Sequence, residues 1–100
     1  MSDLQDLNKD PRVLELLRRI DLHARGWIVC DHWDGDMLAT GISSTSCPDR
    51  LVYVAIGKFA ELFNYECEIL LSNQSFQVTE RGDEITYEEL VFKMNEHLGQ

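Results

Sequence analysis

Hydrophobic and polar positions alternate with two different periods along this chain, and the change of period marks its elements. Val13, Leu16, Leu17 and Ile20 recur at helical spacing, with Glu15, Arg18 and Arg19 on the opposite side. Asp10 is a good N-cap and Pro11 suits the first helical position, so a helix is predicted from Asp10 onward, with Gly26 as its stop. The period then falls to two. "WIVCDHW" (27–33) reads as a strand, and Asp34-Gly35 reads as a two-residue hairpin turn into a second strand over 36–42. "SSTSCPD" is a polar loop, and "RLVYVAIG" (50–57) is a third strand. "KFAEL" forms a connection with room for one helical turn. The fourth strand, 63–71, alternates well: Phe63, Tyr65, Cys67, Ile69 and Leu71 against Asn64, Glu66 and Glu68. "SFQVTE" is a short fifth strand, and "RGD" at 81–83 reads as the turn that follows it.

A second helical period closes the chain. Thr86 and Glu89 match a capping box, and Ile85 and Leu90 match the hydrophobic staple around it. Leu90, Val91, Met94 and Leu98 make the buried stripe, Glu89 and Lys93 an i,i+4 pair, and Gly99 the stop. Short connections favour antiparallel neighbours. The predicted fold is therefore α+β: an N-terminal helix, a five-stranded antiparallel meander and a C-terminal helix in a two-layer sandwich. One domain spans 1–100, with 1–9 frayed. One sheet face is covered by the helices and the other is left open or partly open.

Composition changes this picture little and charge changes it more. Hydrophobic residues are 44% and charged residues 27%, ordinary for a globular chain. No run approaches a membrane span, and the acidic start "MSDLQDLNKD" lacks a signal-peptide pattern, so a cytoplasmic location is expected. Cys30, Cys47 and Cys67 show no C-x-x-C spacing and suggest neither a zinc knuckle nor a disulfide framework. Nine Lys and Arg face eighteen Asp and Glu, a net −9. Residues 1–30 balance, so the whole excess falls in 31–100. Phosphate backbones attract basic surfaces, so direct nucleic-acid binding is disfavoured; a cationic protein partner would be attracted and steered.

The candidate chemistry is thin. Asp31, His32, Asp34 and Asp36 crowd one hairpin, but the spacing is not that of a calcium loop. Strand alternation also sends His32 away from Asp31 and Trp33, so no metal site is assigned. With a two-residue turn, Trp33 faces Asp36, His32 faces Met37 and Asp31 faces Leu38. Cys30 and Cys67 fall on faces expected to be core, and Cys47 sits in a loop with no histidine placed beside it. Glu66 and Glu68 lie one pleat apart on one face, a poor arrangement for acid–base chemistry. No phosphate-binding or nucleophile-elbow motif occurs. No catalytic residue and no cofactor is assigned, and an enzyme is not expected. What remains is an acidic, aromatic surface: Trp27, Asp31, Trp33 and Asp36 on the first hairpin with Asn64, Glu66 and Glu68 on the fourth strand. Of these, Asp31, Trp33, Asp36, Asn64, Glu66 and Glu68 are taken as the residues that bind a partner.

The runs "GWIVCDHWDGDMLATGI", "RLVYVAIGKF" and "YECEI" resemble small bacterial toxin-immunity proteins. That resemblance implies a non-enzymatic domain that binds a cognate basic toxin domain, a nuclease first among them, and occludes its active site. The expectation is a monomer. The alternatives are an acidic secretion-type chaperone, which would be a dimer with exposed apolar grooves, and a small ligand-binding domain or enzyme.

Overall fold

In the computed structural model the described residues are 9–30, 37–58 and 61–99. Eight elements follow in order: α1 (Pro11–Ile20), α2 (Leu22–Arg25), β1 (Trp27–Val29), β2 (Ala39–Ser44), β3 (Arg50–Ile56), β4 (Phe63–Leu70), β5 (Phe76–Ile85) and α3 (Tyr87–Leu98). The strands form one antiparallel sheet in the order β1-β2-β3-β4-β5, the predicted meander. The core lies between one face of that sheet and the two longer helices. From the sheet come Trp27, Ile42, Val52, Val54, Phe63, Tyr65 and Cys67; α1 adds Val13, Leu16, Leu17 and Ile20, and α3 adds Leu90, Met94 and Leu98. This is the expected two-layer α+β arrangement.

Both helix starts follow from their capping residues. The Asp10 carboxylate accepts the Arg12 backbone N–H at 2.9 Å, and the Thr86 hydroxyl accepts that of Glu89 at 3.2 Å. The first helix, however, does not run through to Gly26. Asp21 adopts φ 62 and closes α1 by donating its N–H to Leu17 O. Aspartate tolerates this left-handed conformation better than most residues. The carbonyls freed at the break find side chains: Arg25 Nε donates to Ile20 O at 2.8 Å, and the Tyr87 hydroxyl donates to Arg19 O at 3.0 Å. The break turns the chain so that Trp27 enters the sheet beneath the helices.

Three sequence expectations change. The "RGD" segment is not a turn: Arg81, Gly82 and Asp83 lie inside β5, which runs ten residues. Glycine is there because Gly82 pairs with Tyr65, whose ring occupies the space a Cβ would need. Register shifts between Phe63 and Tyr65 and between Cys67 and Glu68 bend this edge strand, and Glu84 takes φ 54. Second, β1 pairs with β2 two residues away from the register a two-residue Asp34-Gly35 turn would impose: Val29 faces Ile42, not Thr40. The turn itself, with residues 31–36, lies outside the described residues. The side-chain period is two, so this offset keeps each residue on its own face. Third, the ion pairs of Lys93 within 4 Å are made with residues other than Glu89. Its ammonium reaches Glu80 on β5 at 2.9 Å and Glu96 at 3.8 Å.

Candidate protein-binding surface

Strand register decides which predicted partner residues can share a surface. Ile28, Ser43, Leu51, Glu68 and Val78 form one row across all five strands, and Gly41, Tyr53, Glu66 and Arg81 form the row beside it. Both rows lie on the face turned away from α1 and α3. Trp27 lies on the other face: it is buried in the core, and its indole N–H donates to Gly99 O at 3.1 Å. The hairpin-plus-β4 surface inferred from the sequence is thus split, because Trp27 and the β4 glutamates occupy opposite sides of the sheet. Alternation alone could not say which side the helices would take. Cys30, expected in the core, is half-buried and pairs its N–H with Gly41 O at 2.8 Å. Asp31, Trp33 and Asp36 lie outside the described residues.

The three β4 residues differ from one another. Asn64 has a structural role, since its Oδ1 accepts the Glu84 N–H at 2.8 Å where β5 is irregular. Glu68 is only 7% exposed, among Ser43, Leu51 and Val78. Glu66 is the accessible one, with its side chain 33% exposed and its carboxylate 3.3 Å from Arg81 Nη2. Around them the face carries exposed apolar residues at its edges: Ile28, Phe76 and Val78. Its centre is closed, with Ala39, Ser43 and Leu51 all buried.

A second surface was missed by the sequence reading. On α3, Phe92 is 58% exposed, the highest value among the large hydrophobic residues described. Glu88, Glu89 and Glu96 stand four before, three before and four after it, which places them beside it on the helix surface. All three are exposed. The signal was available, because Phe92 falls outside the Leu90–Val91–Met94–Leu98 stripe and so had no place in the core. Two of these glutamates also sit in the first helical turn, where the helix dipole favours negative charge.

Between the two surfaces runs a polar network at the joint of β4, β5 and α3. The Tyr65 hydroxyl donates to Glu80 Oε2 at 2.7 Å, and Lys93 donates to the same oxygen. Burial, then the Glu80 carboxylate, pushes the Tyr65 phenol far above its ordinary range. The hydrogen bonds from Lys93 and then Tyr65 hold Glu80 below 4.5. Burial pushes the neighbouring Cys67 thiol up to about 11, which leaves it a poor nucleophile. Cys67, Cys47 and Cys30 are all free thiols. Among the described residues no three His, Cys, Asp or Glu side chains converge as metal ligands. No helix is long and apolar enough to cross a membrane among them.

No family model matches this chain, and neither does any curated protein or solved structure.

Proposed function

We propose that the protein is a stoichiometric inhibitor of the toxin-immunity kind, binding a cationic toxin domain, a nuclease first among candidates, and covering its active site. The observation that carries this reading is the acidity of the surface outside α1 and α2, with the exposed Phe92 set within it. Residues 9–30 carry five bases and three acids, whereas the described residues from 37 onward carry four bases and ten acids. Such one-sided charge steers a cationic partner onto one side of the molecule and suppresses wrong orientations. A partly exposed aromatic ringed by carboxylates supplies an anchor once the partner arrives. Carboxylates placed over a nuclease site would occupy the position of substrate phosphates.

The test is co-expression with a cationic nuclease-toxin domain, taken from a neighbouring gene where one is encoded there, followed by binding kinetics on the purified pair. The expected result is restored growth, a one-to-one complex, and an association rate that falls steeply with added salt. Glu88→Lys with Glu89→Lys is expected to slow association about tenfold. Glu66→Lys tests the opposite sheet face in the same assay. Glu68 is unsuitable as a probe because it is buried. A toxin domain that keeps full activity in the presence of excess protein removes the inhibitor reading for that partner. The exposed Ile28, Phe76 and Val78 favour a second reading, an acidic secretion-type chaperone that shelters an apolar segment of its client. A stable dimer by light scattering would select it.

A further inference from the structure

The two edges of the sheet are not alike. β1 is three residues long, and a strand that short offers little to pair with. β5 runs ten residues, and β4 is its one neighbour among the described strands. Edge strands are ordinarily guarded by charge, bulges or proline. In β5 those guards begin at Thr79: it is the extra residue of the bulge, and Glu80, Arg81, Asp83 and Glu84 follow. The stretch 75–78 before it is exposed, uncharged, free of proline and regular in its pairing. Within it Phe76 and Val78 are 39% and 40% exposed, both on the face turned away from the helices.

Hydrogen bonding fixes which way the backbone points. Leu70 donates its N–H to Asp49 O on the β3 side, and Leu71 donates its N–H to Ser75 O on the β5 side. By alternation Gln77 turns its N–H and C=O toward β4, and Val78 turns its own outward from the sheet edge. The stretch is complementary to itself. Antiparallel pairing about a two-fold axis at Gln77 sets Val78 of each copy opposite Phe76 of the other, and Gln77 opposite Gln77. Val78 then falls at a hydrogen-bonded position and Gln77 at a non-hydrogen-bonded one, as their backbone directions require. Four apolar side chains meet on one face and two carboxamides on the other. No like charges are opposed, since Glu80, the first charged residue reached, comes opposite Gln74. An axis at Arg81 would instead set two guanidiniums together.

We infer that β5 is a self-association edge: two copies of this chain pair their 75–79 segments antiparallel about Gln77 and join their sheets into one of ten strands. The contact involves far fewer than the roughly 20–30 residues a side of a stable interface, so it is weak and concentration-dependent. It rests on neither functional reading and is distinct from the stable dimer of the chaperone alternative.

Sedimentation equilibrium of the whole protein from about 10 μM to about 1 mM tests it. A monomer at the low end and a reversible dimer at the high end are expected, with association weakened about tenfold in Val78→Pro. A proline whose N–H would face outward is compatible with an edge strand. Val78→Lys, which adds a charge to an intact backbone, is expected to weaken association as well and stands in should the proline disturb the fold. Cross-linking gives an independent readout, because Cα atoms at the axis lie about 4.5 Å apart, within disulfide reach. In a Cys30→Ser, Cys47→Ser background, Gln77→Cys is expected to link two chains under mild oxidation about tenfold faster than Ser72→Cys, at another exposed position. A monomer throughout, a dimer unmoved by both Val78 variants, or equal cross-linking from positions 77 and 72 would each overturn the assignment.

Discussion

Thr40 has no solvent exposure, and among the described residues its hydroxyl finds no hydrogen-bond partner. It stands opposite Val54 on the helix-covered side of β2 and β3, where its neighbours are apolar. A buried hydroxyl without a partner carries its desolvation cost uncompensated. Thr40→Val keeps the branched shape and removes that cost. It is expected to stabilise the domain by about 1 kcal/mol, read as a higher urea midpoint with unchanged slope. Thr40→Ser, which keeps the hydroxyl and deletes the methyl, should destabilise it instead. A lower midpoint for the valine variant would mean the hydroxyl is satisfied after all.

At the scale of elements, legibility depended on whether the deciding signal was local. The α3 start could be read because its capping box and staple act within one turn. The β4 faces could be read because alternation needs only neighbours. The extent of β5 could not: Gly82 looks like a turn residue until the Tyr65 ring from the adjacent strand is placed against it. The same limit hid the candidate site. Which side of the hairpin is covered depends on where helices far away in sequence come to rest, and that reversed the place assigned to Trp27. Phe92, by contrast, was a local misfit in a helical stripe and could have been found. The β4–β5 joint gives its own test. Gly82→Ala puts a methyl against the buried Tyr65 ring and is expected to cost about 1–3 kcal/mol. An alanine variant as stable as the parent would show that Tyr65 can yield.

At the scale of the whole molecule, the Tyr65–Glu80–Lys93 joint sets limits on stability at both ends of the pH range. Tyr65 has its folded value raised, so its contribution is complete below pH 10.0, the ordinary phenol value, and is lost as pH rises beyond it. Glu80 has its folded value lowered, so its contribution is present above pH 4.5 and fades as pH falls further. Between those limits neither group should make stability vary with pH. Denaturation midpoints measured from pH 3 to 11 are expected to drop at both ends, and Tyr65→Phe should flatten the alkaline side only. An alkaline drop that survives in the phenylalanine variant would assign it to another group.

The contacts that hold α3 down reach back 72, 68 and 47 residues: Trp27 to Gly99, Arg19 to Tyr87 and Arg50 to His97. The meander, by contrast, pairs each strand with the next. During synthesis the five strands leave the ribosome before α3 does, and each can find its partner at once. α1 is made before them and covers part of their apolar face; the rest must wait for α3. For that interval the part of β3 and β4 that α3 covers is open to any passing hydrophobic surface. The nascent domain therefore has a period of vulnerability that ends only when α3 is clear of the ribosome and docks.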